Sequence, residues 1–288
     1  MKKIGIIGGS GLYEMEGLKQ IEEIKISTPF GDPSDVYVSG QLNDVQLFFL
    51  PRHGRGHRYL PSEVNYRANI FAMKQLGVER IISVSAVGSL QEGIAPGHIV
   101  IPDQFIDRTK GIRKDTFFGE GIVAHVGFAD PVCNCLSNTL YQAAQAAGAT
   151  VHQGGTYICM EGPAFSTRAE SHMYRQLGGS IIGMTNLTEA KLAREAELCY
   201  ATIALSTDYD CWHETHDDVT VEAILEIIHK NVTMAKEIIR HAVAPAAEKC
   251  NCNCAETLTN AIITDKTKIP ENTIKKLEPI LGRLFPSG

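Results

Sequence analysis

Short apolar runs alternate along this chain with longer segments whose apolar residues recur every three or four positions, and glycines stand at most of the boundaries. Residues 4–7 are apolar and stop at Gly8, Gly9, Ser10 and Gly11, which predicts a buried strand running into a glycine turn. Residues 36–38 and 45–50 predict two more strands around a turn at 40–44. Residues 64–77 have helical spacing, with Ala68, Ile70, Phe71 and Leu76 on or near one face and Gly77 as the stop. Strands follow at 80–87, ending on Gly88, and at 97–101, ending on Pro102. The pattern continues with a helix at 134–148, a strand at 155–160 and a helix at 166–178. Ser166 or Thr167, with Glu170 just beyond, supplies a capping signal for that helix. A strand at 181–185, a helix at 186–197, a strand at 199–205 and a long helix at 221–244 complete the series. Pro245 should stop the last helix, because its ring cannot continue the hydrogen-bond ladder. Alternating strands and helices predict an α/β protein with a largely central sheet. The expected division is one domain over residues 1–245 and a more polar extension over 246–288, packed on the same domain or on a neighbouring subunit.

Composition narrows this picture. A chain of 288 residues buries a sizeable core without crosslinks. Its net charge of -6 includes no long Lys/Arg run, so a nucleic-acid groove is not expected. The first apolar run is too short for a signal peptide, and no stretch of 18 apolar residues exists. A cytoplasmic location is the default expectation. Eight cysteines include the runs Cys133-Asn-Cys135 and Cys250-Asn-Cys252-Asn-Cys254. Their spacing is tighter than that of a zinc ribbon. Reduced surface thiols near loops are the plain reading, a disulfide and a soft-metal site the others, and no metal ligand set is assigned.

Candidate chemistry collects at strand ends, where open α/β sheets bind ligands. The turn from Gly8 to Gly11 can present N–H groups and the Ser10 hydroxyl to an anion, yet it matches neither a Walker loop nor the dinucleotide fingerprint, since Glu14 stands where that fingerprint needs glycine. Arg52 and His53 follow the strand at 45–50, and arginine suits phosphate. Ser85, Ala86 and Gly88 are small residues that let a ligand approach the backbone. Thr185 ends a further strand. Asp208 and Asp210 follow the strand at 199–205; at i and i+2 in an extended segment they point to one side. Two close carboxyls do not both ionise easily, so one can keep a proton and donate to a purine ring nitrogen while the other accepts from an exocyclic amine. A solvated acidic loop is the bland alternative.

Seven motifs occur in order: Gly-Ile-Ile-Gly-Gly-Ser-Gly at 5–11, Pro-Arg-His-Gly-Arg at 51–55, Ser-Ala-Val-Gly-Ser-Leu at 85–90, Asp-Gln-Phe-Ile-Asp-Arg-Thr at 103–109, Glu-Gly-Pro-Ala-Phe-Ser-Thr-Arg-Ala-Glu at 161–170, Gly-Met-Thr at 183–185 and Thr-Asp-Tyr-Asp-Cys-Trp at 207–212. Through them residues 4–244 resemble the 5'-methylthioadenosine phosphorylases of the purine nucleoside phosphorylase superfamily. The resemblance implies a nucleoside phosphorylase-like fold, with one mixed, partly barrel-like sheet flanked by helices, assembled as trimers or hexamers. It implies phosphorolysis of 5'-methylthioadenosine to adenine and 5-methylthioribose 1-phosphate, with inorganic phosphate as co-substrate and no cofactor. Ser10, Arg52, His53, Ser85, Ala86 and Thr185 would hold phosphate. Met184 would lie against the ribose, Phe165 and Ser166 at the base, Val221 near the alkylthio group, and His125 would be lent by a neighbouring subunit. Asp208 would be the acid at the base, with Asp210 its partner. Gly183 departs from animal members, which carry asparagine there. The rival expectations are a 6-oxopurine phosphorylase acting on inosine, guanosine or methylthioinosine, a nucleotide-binding oxidoreductase, and an inactive nucleoside-binding module. The paired aspartates, the broken fingerprint, and Arg52 with His53 and Asp208 argue against them in turn.

Overall fold

The computed structural model describes residues 1–9, 11–213 and 221–286. In chain order the elements are β1 (Lys2–Gly8), β2 (Lys19–Ile24), β3 (Tyr37–Leu42), β4 (Val45–Pro51), α1 (Tyr66–Gln75), β5 (Arg80–Ser89), β6 (Ile99–Ile101), β7 (Gln104–Arg108) and α2 (Asn134–Ala146). There follow β8 (Val151–Gln153), β9 (Thr156–Met160), α3 (Arg168–Gln176), β10 (Gly179–Gly183), α4 (Asn186–Glu195), β11 (Cys199–Asp208), α5 (Val221–Ala247), α6 (Glu271–Lys276) and α7 (Glu278–Leu281). Thr167, not Ser166, caps α3, and Glu170 closes a capping box with it. Helix α5 does not stop at Pro245 but runs two residues past it. A proline near a helix end costs the ladder only one donor, and the chain turns away within the same turn.

The strands form one mixed eleven-stranded sheet, ordered β2-β3-β4-β1-β5-β10-β9-β7, with β11 and β6 then β8 branching from β5. Alternate residues of each strand feed opposite faces, as the pleat requires. Ile4 and Ile6 of β1 and Cys199, Ala201, Ile203 and Leu205 of β11 pack with α2 and α5. Ile7 and Tyr200 face the other layer, built on Phe71 and Met73 of α1 and Ala190 and Leu192 of α4. Leu258, Ala261, Ile269, Leu277 and Ile280 of the C-terminal extension lie in that same layer. Among the described residues no helix is long and apolar enough to cross a membrane.

Strand β5 positions the site. Along one edge it pairs with β11 from Arg80 to Gly88. Along the other it pairs with β1 only to Ser83, and with β10 only at Gly88 and Ser89. Residues 84–87 therefore lack a strand neighbour on that edge, and Ala86 is exposed there while Ser85 and Val87 are buried. Ser85 and Ala86 thus lie in an open stretch of strand.

Candidate active site

Arg52 stands at the end of β4, and its backbone N–H donates to the Gly8 carbonyl (2.9 Å), which ties the loop to the end of β1. Its side chain is buried and runs under the open edge of β5. Nε donates to Glu189, Nη2 to Glu189 (3.1 Å) and to Ser83 Oγ (2.6 Å), and Nη1 to the Val84 carbonyl (3.1 Å). Burial alone would lower the pKa of Arg52, but the Glu189 carboxylate outweighs it and holds the guanidinium above its ordinary value. Glu189 also accepts from Ser83 (2.8 Å) and Tyr200 (2.9 Å). A guanidinium has five N–H donors, and four of those on Arg52 are matched among the described residues.

The network continues to other expected residues. Thr185 caps α4 and donates to Asn186 Oδ1 (3.1 Å), which also accepts from Tyr157 (3.2 Å). Asn186 Nδ2 donates to Ser83 (3.2 Å) and Thr202 (2.8 Å). Ser85 Oγ lies 3.4 Å from the Tyr157 hydroxyl. Arg52, Ser85 and Thr185 thus share one buried polar network. His53 adjoins it through the chain. Its Nδ1 lies 2.8 Å from the Tyr59 carbonyl, so that nitrogen carries the proton and Nε2 is the acceptor. Burial, then the neighbouring Arg52 charge, pushes His53 down to about 4. In that neutral form His53 presents an acceptor at Nε2. Ser10 lies outside the described residues.

The carboxyl pair sits at the far end of the same stretch. Asp208 is the last residue of β11, and Asp210 opens a single 3₁₀ turn at φ 50°, so the segment is not extended as expected. The turn still brings the two together: the Asp210 N–H donates to Asp208 Oδ1 (2.8 Å), and Thr207 Oγ1 donates to Asp208 Oδ2 (2.7 Å). Gly88 makes room for both, since a Cβ there would meet Asp208 Oδ1 at 3.0 Å and the Asp210 Cβ at 3.4 Å. Burial, with Asp208 beside it, raises the Asp210 carboxyl, while the nearby Ser171 hydroxyl works the other way. Asp210 Oδ2 and Ser171 Oγ are both buried and make no hydrogen bond of normal geometry with the described residues. Of the pair, Asp210 is the carboxyl whose charged form burial disfavours.

The remaining expected residues are spread around these groups. Cys211 joins the acidic turn to the Ser166 carbonyl (3.3 Å), and neighbouring Phe165 is 83% exposed, free to cover a ligand. Arg113 pairs with Glu161 (2.7 Å) and donates to the Met184 carbonyl, fixing Met184 after β10. Gly183 is filled by its neighbour: a Cβ there would lie 1.9 Å from the Tyr157 hydroxyl. His125 is exposed, and its N–H bonds the Ala261 carbonyl (2.8 Å), in a segment packed with the C-terminal extension. Val221 begins α5; its side chain lies outside the described residues. Sequence reasoning missed Glu189, Ser83, Tyr157, Asn186, Thr202 and Arg113. The available signal was polar residues at positions where the strand and helix pattern wants apolar ones.

The sequence profile of the phosphorylase superfamily matches residues 3–244. An S-methyl-5'-thioadenosine phosphorylase of Geobacter sulfurreducens is 68% identical over 97% of this chain and 98% of its own. A crystal structure of a methylthioadenosine phosphorylase from an antarctic soil metagenomic library superposes with a TM-score of 0.94 at 51% identity, covering 97% of this chain and 99% of that one. A variant adenosine/methylthioadenosine phosphorylase of Schistosoma mansoni, solved with methylthioadenosine, gives a TM-score of 0.82 at 40% identity over 90% of this chain and 96% of that one. With its mixed sheet, its arginine network and its paired aspartates, the chain belongs to the phosphorylase superfamily and, within it, to the S-methyl-5'-thioadenosine phosphorylases.

Proposed function

We propose that this chain catalyses the reversible phosphorolysis of 5'-methylthioadenosine, giving adenine and 5-methylthioribose 1-phosphate. The observation that carries the reading is the open stretch of β5, with the Arg52 network at one end and the Asp208–Asp210 pair at the other. Phosphate, held by the fifth N–H of Arg52 with Ser10, Ser85, Ala86 and Thr185, attacks the anomeric carbon. His53 accepts the hydroxyl hydrogen of the phosphate and orients it. The transition state resembles a ribosyl cation, which the bound anion stabilises. Negative charge gathers on the departing adenine. Asp210, the carboxyl raised by burial, holds the proton for the ring nitrogen, and Asp208 accepts from the exocyclic amine. Phe165 and Ser166 cover the base, Met184 the ribose, and Val221 the alkylthio group. His125 completes the pocket of a neighbouring subunit, so the working form is a trimer or hexamer, placed in the cytoplasm. The chemistry needs inorganic phosphate as co-substrate and neither metal nor organic cofactor. Phosphorus NMR tests this directly: with methylthioadenosine, the inorganic phosphate signal should give way to that of a sugar phosphate ester as adenine appears. Adenine release that leaves inorganic phosphate unchanged would be hydrolysis and would refute the proposal.

A further inference from the structure

Four thiols that the reaction does not use converge on one point. The Sγ atoms of Cys133, Cys199, Cys252 and Cys254 all lie within 4.8 Å of one another. They come from three distant parts of the chain: Cys133 is the N-cap of α2, Cys199 opens β11, and Cys252 and Cys254 belong to the C-terminal extension. Cys133, Cys199 and Cys254 are buried in the apolar layer that includes Leu136 and Ala246, and Cys252 is half-buried. The plain expectation of surface thiols is therefore overturned. A fifth and a sixth cysteine, Cys135 and Cys250, are joined in a disulfide.

We infer that the four thiols form a structural Zn²⁺ site. Disulfide pairing needs sulfurs close two by two; here each sulfur is close to the other three, which is the requirement of a single tetrahedral ion. Zn–S bonds of about 2.3 Å place the sulfurs about 3.8 Å apart, a small contraction from the arrangement present. An iron–sulfur cube, with each thiolate on a separate iron, needs them farther apart. A complex of Zn²⁺ with four thiolates carries a double negative charge, and two positive features adjoin it. One is the N-terminal end of the 13-residue α2, at Cys133. The other is Arg80, paired with Cys199 across β5 and β11 and bonded to the carbonyls of Ala246 and Glu248. Half-buried Cys252 gives the ion a way in. The ion fastens the extension, and with it the Ala261 segment that holds His125 in place, to the sheet.

The test is metal analysis of the full-length protein purified under reducing, oxygen-free conditions. About one zinc per chain is expected, with Cys252→Ser/Cys254→Ser falling to background and Cys135→Ser keeping the metal. Protein loaded with Co²⁺ should show thiolate-to-cobalt charge transfer and the visible bands of tetrahedral Co²⁺. Should the double variant not fold, titrating the wild type with a mercurial should release zinc to a chelating dye in step with the loss of four thiols. Metal-free protein with these four thiols freely titratable, or with disulfides among them by mass spectrometry, would overturn the site. Iron in place of zinc would overturn the assignment of the ion.

Discussion

At Arg52 four of five N–H donors are spent on the protein, so what Arg52 offers phosphate depends on what Glu189 does for Arg52. Glu189 is buried, and removing it leaves an unpaired buried cation. Glu189→Ala should therefore cost about 3–5 kcal/mol in urea unfolding, and should raise the KM for phosphate. A variant as stable as the wild type would show that the pair does not hold the arginine. The aspartates give a sharper contrast. Asparagine at position 210 has no proton to transfer to the leaving base, whereas asparagine at 208 keeps one oxygen to accept from the Asp210 N–H or the Thr207 hydroxyl. Asp210→Asn should lower kcat/KM for methylthioadenosine by about 10²–10⁴-fold, and Asp208→Asn by less. The reverse order would return the proton to Asp208.

Among the elements, β5 is decisive because two partners share one of its edges and leave a gap. Gly88 sits where the gap ends against the carboxyl pair. Gly88→Ala should raise the KM for methylthioadenosine while moving the KM for phosphate little, because the Arg52 network lies at the other end. Equal effects on both would mean the two ends are not independent. The central strands β1, β4, β5 and β11 were legible in the sequence because they are apolar runs ending on glycine or polar residues. Strand β2 was not: its six residues, Lys-Gln-Ile-Glu-Glu-Ile, lie on an exposed edge, where charge protects against pairing with other chains. Strand β7 is half polar for the same reason of position. The ends of the site, Arg52 and Asp208, were legible as polar residues after apolar strands. The middle was not, because Ser83 and Thr202 lie within apolar strands and meet Asn186 and Glu189 only when the fold stacks β5, β11 and α4.

For the whole molecule, two buried groups make stability depend on pH with opposite signs. Burial raises Glu195 from 4.5 to about 7, against the hydrogen bonds it accepts from Phe117 and Thr116. Between about 4.5 and 7 the folded state holds a proton there that the unfolded state has lost, so this contribution falls as pH rises. His53 is lowered from 6.5 to about 4, so between those values the unfolded state binds the extra proton, and this contribution rises with pH. Across their shared window, Glu195→Gln should steepen the rise of unfolding free energy with pH, and His53→Gln should turn it toward a fall. Parallel curves for both variants and the wild type would show that neither group titrates as its surroundings dictate.

One assay reaches the proposed reaction of the whole molecule most directly. Methylthioadenosine, adenosine, methylthioinosine and inosine are each incubated with the enzyme, with and without phosphate, and base release is measured. Adenine should appear only with phosphate, fastest from methylthioadenosine, with the 6-oxopurine nucleosides slow. Base release that ignores phosphate, or hypoxanthine from inosine as fast as adenine from methylthioadenosine, would contradict it.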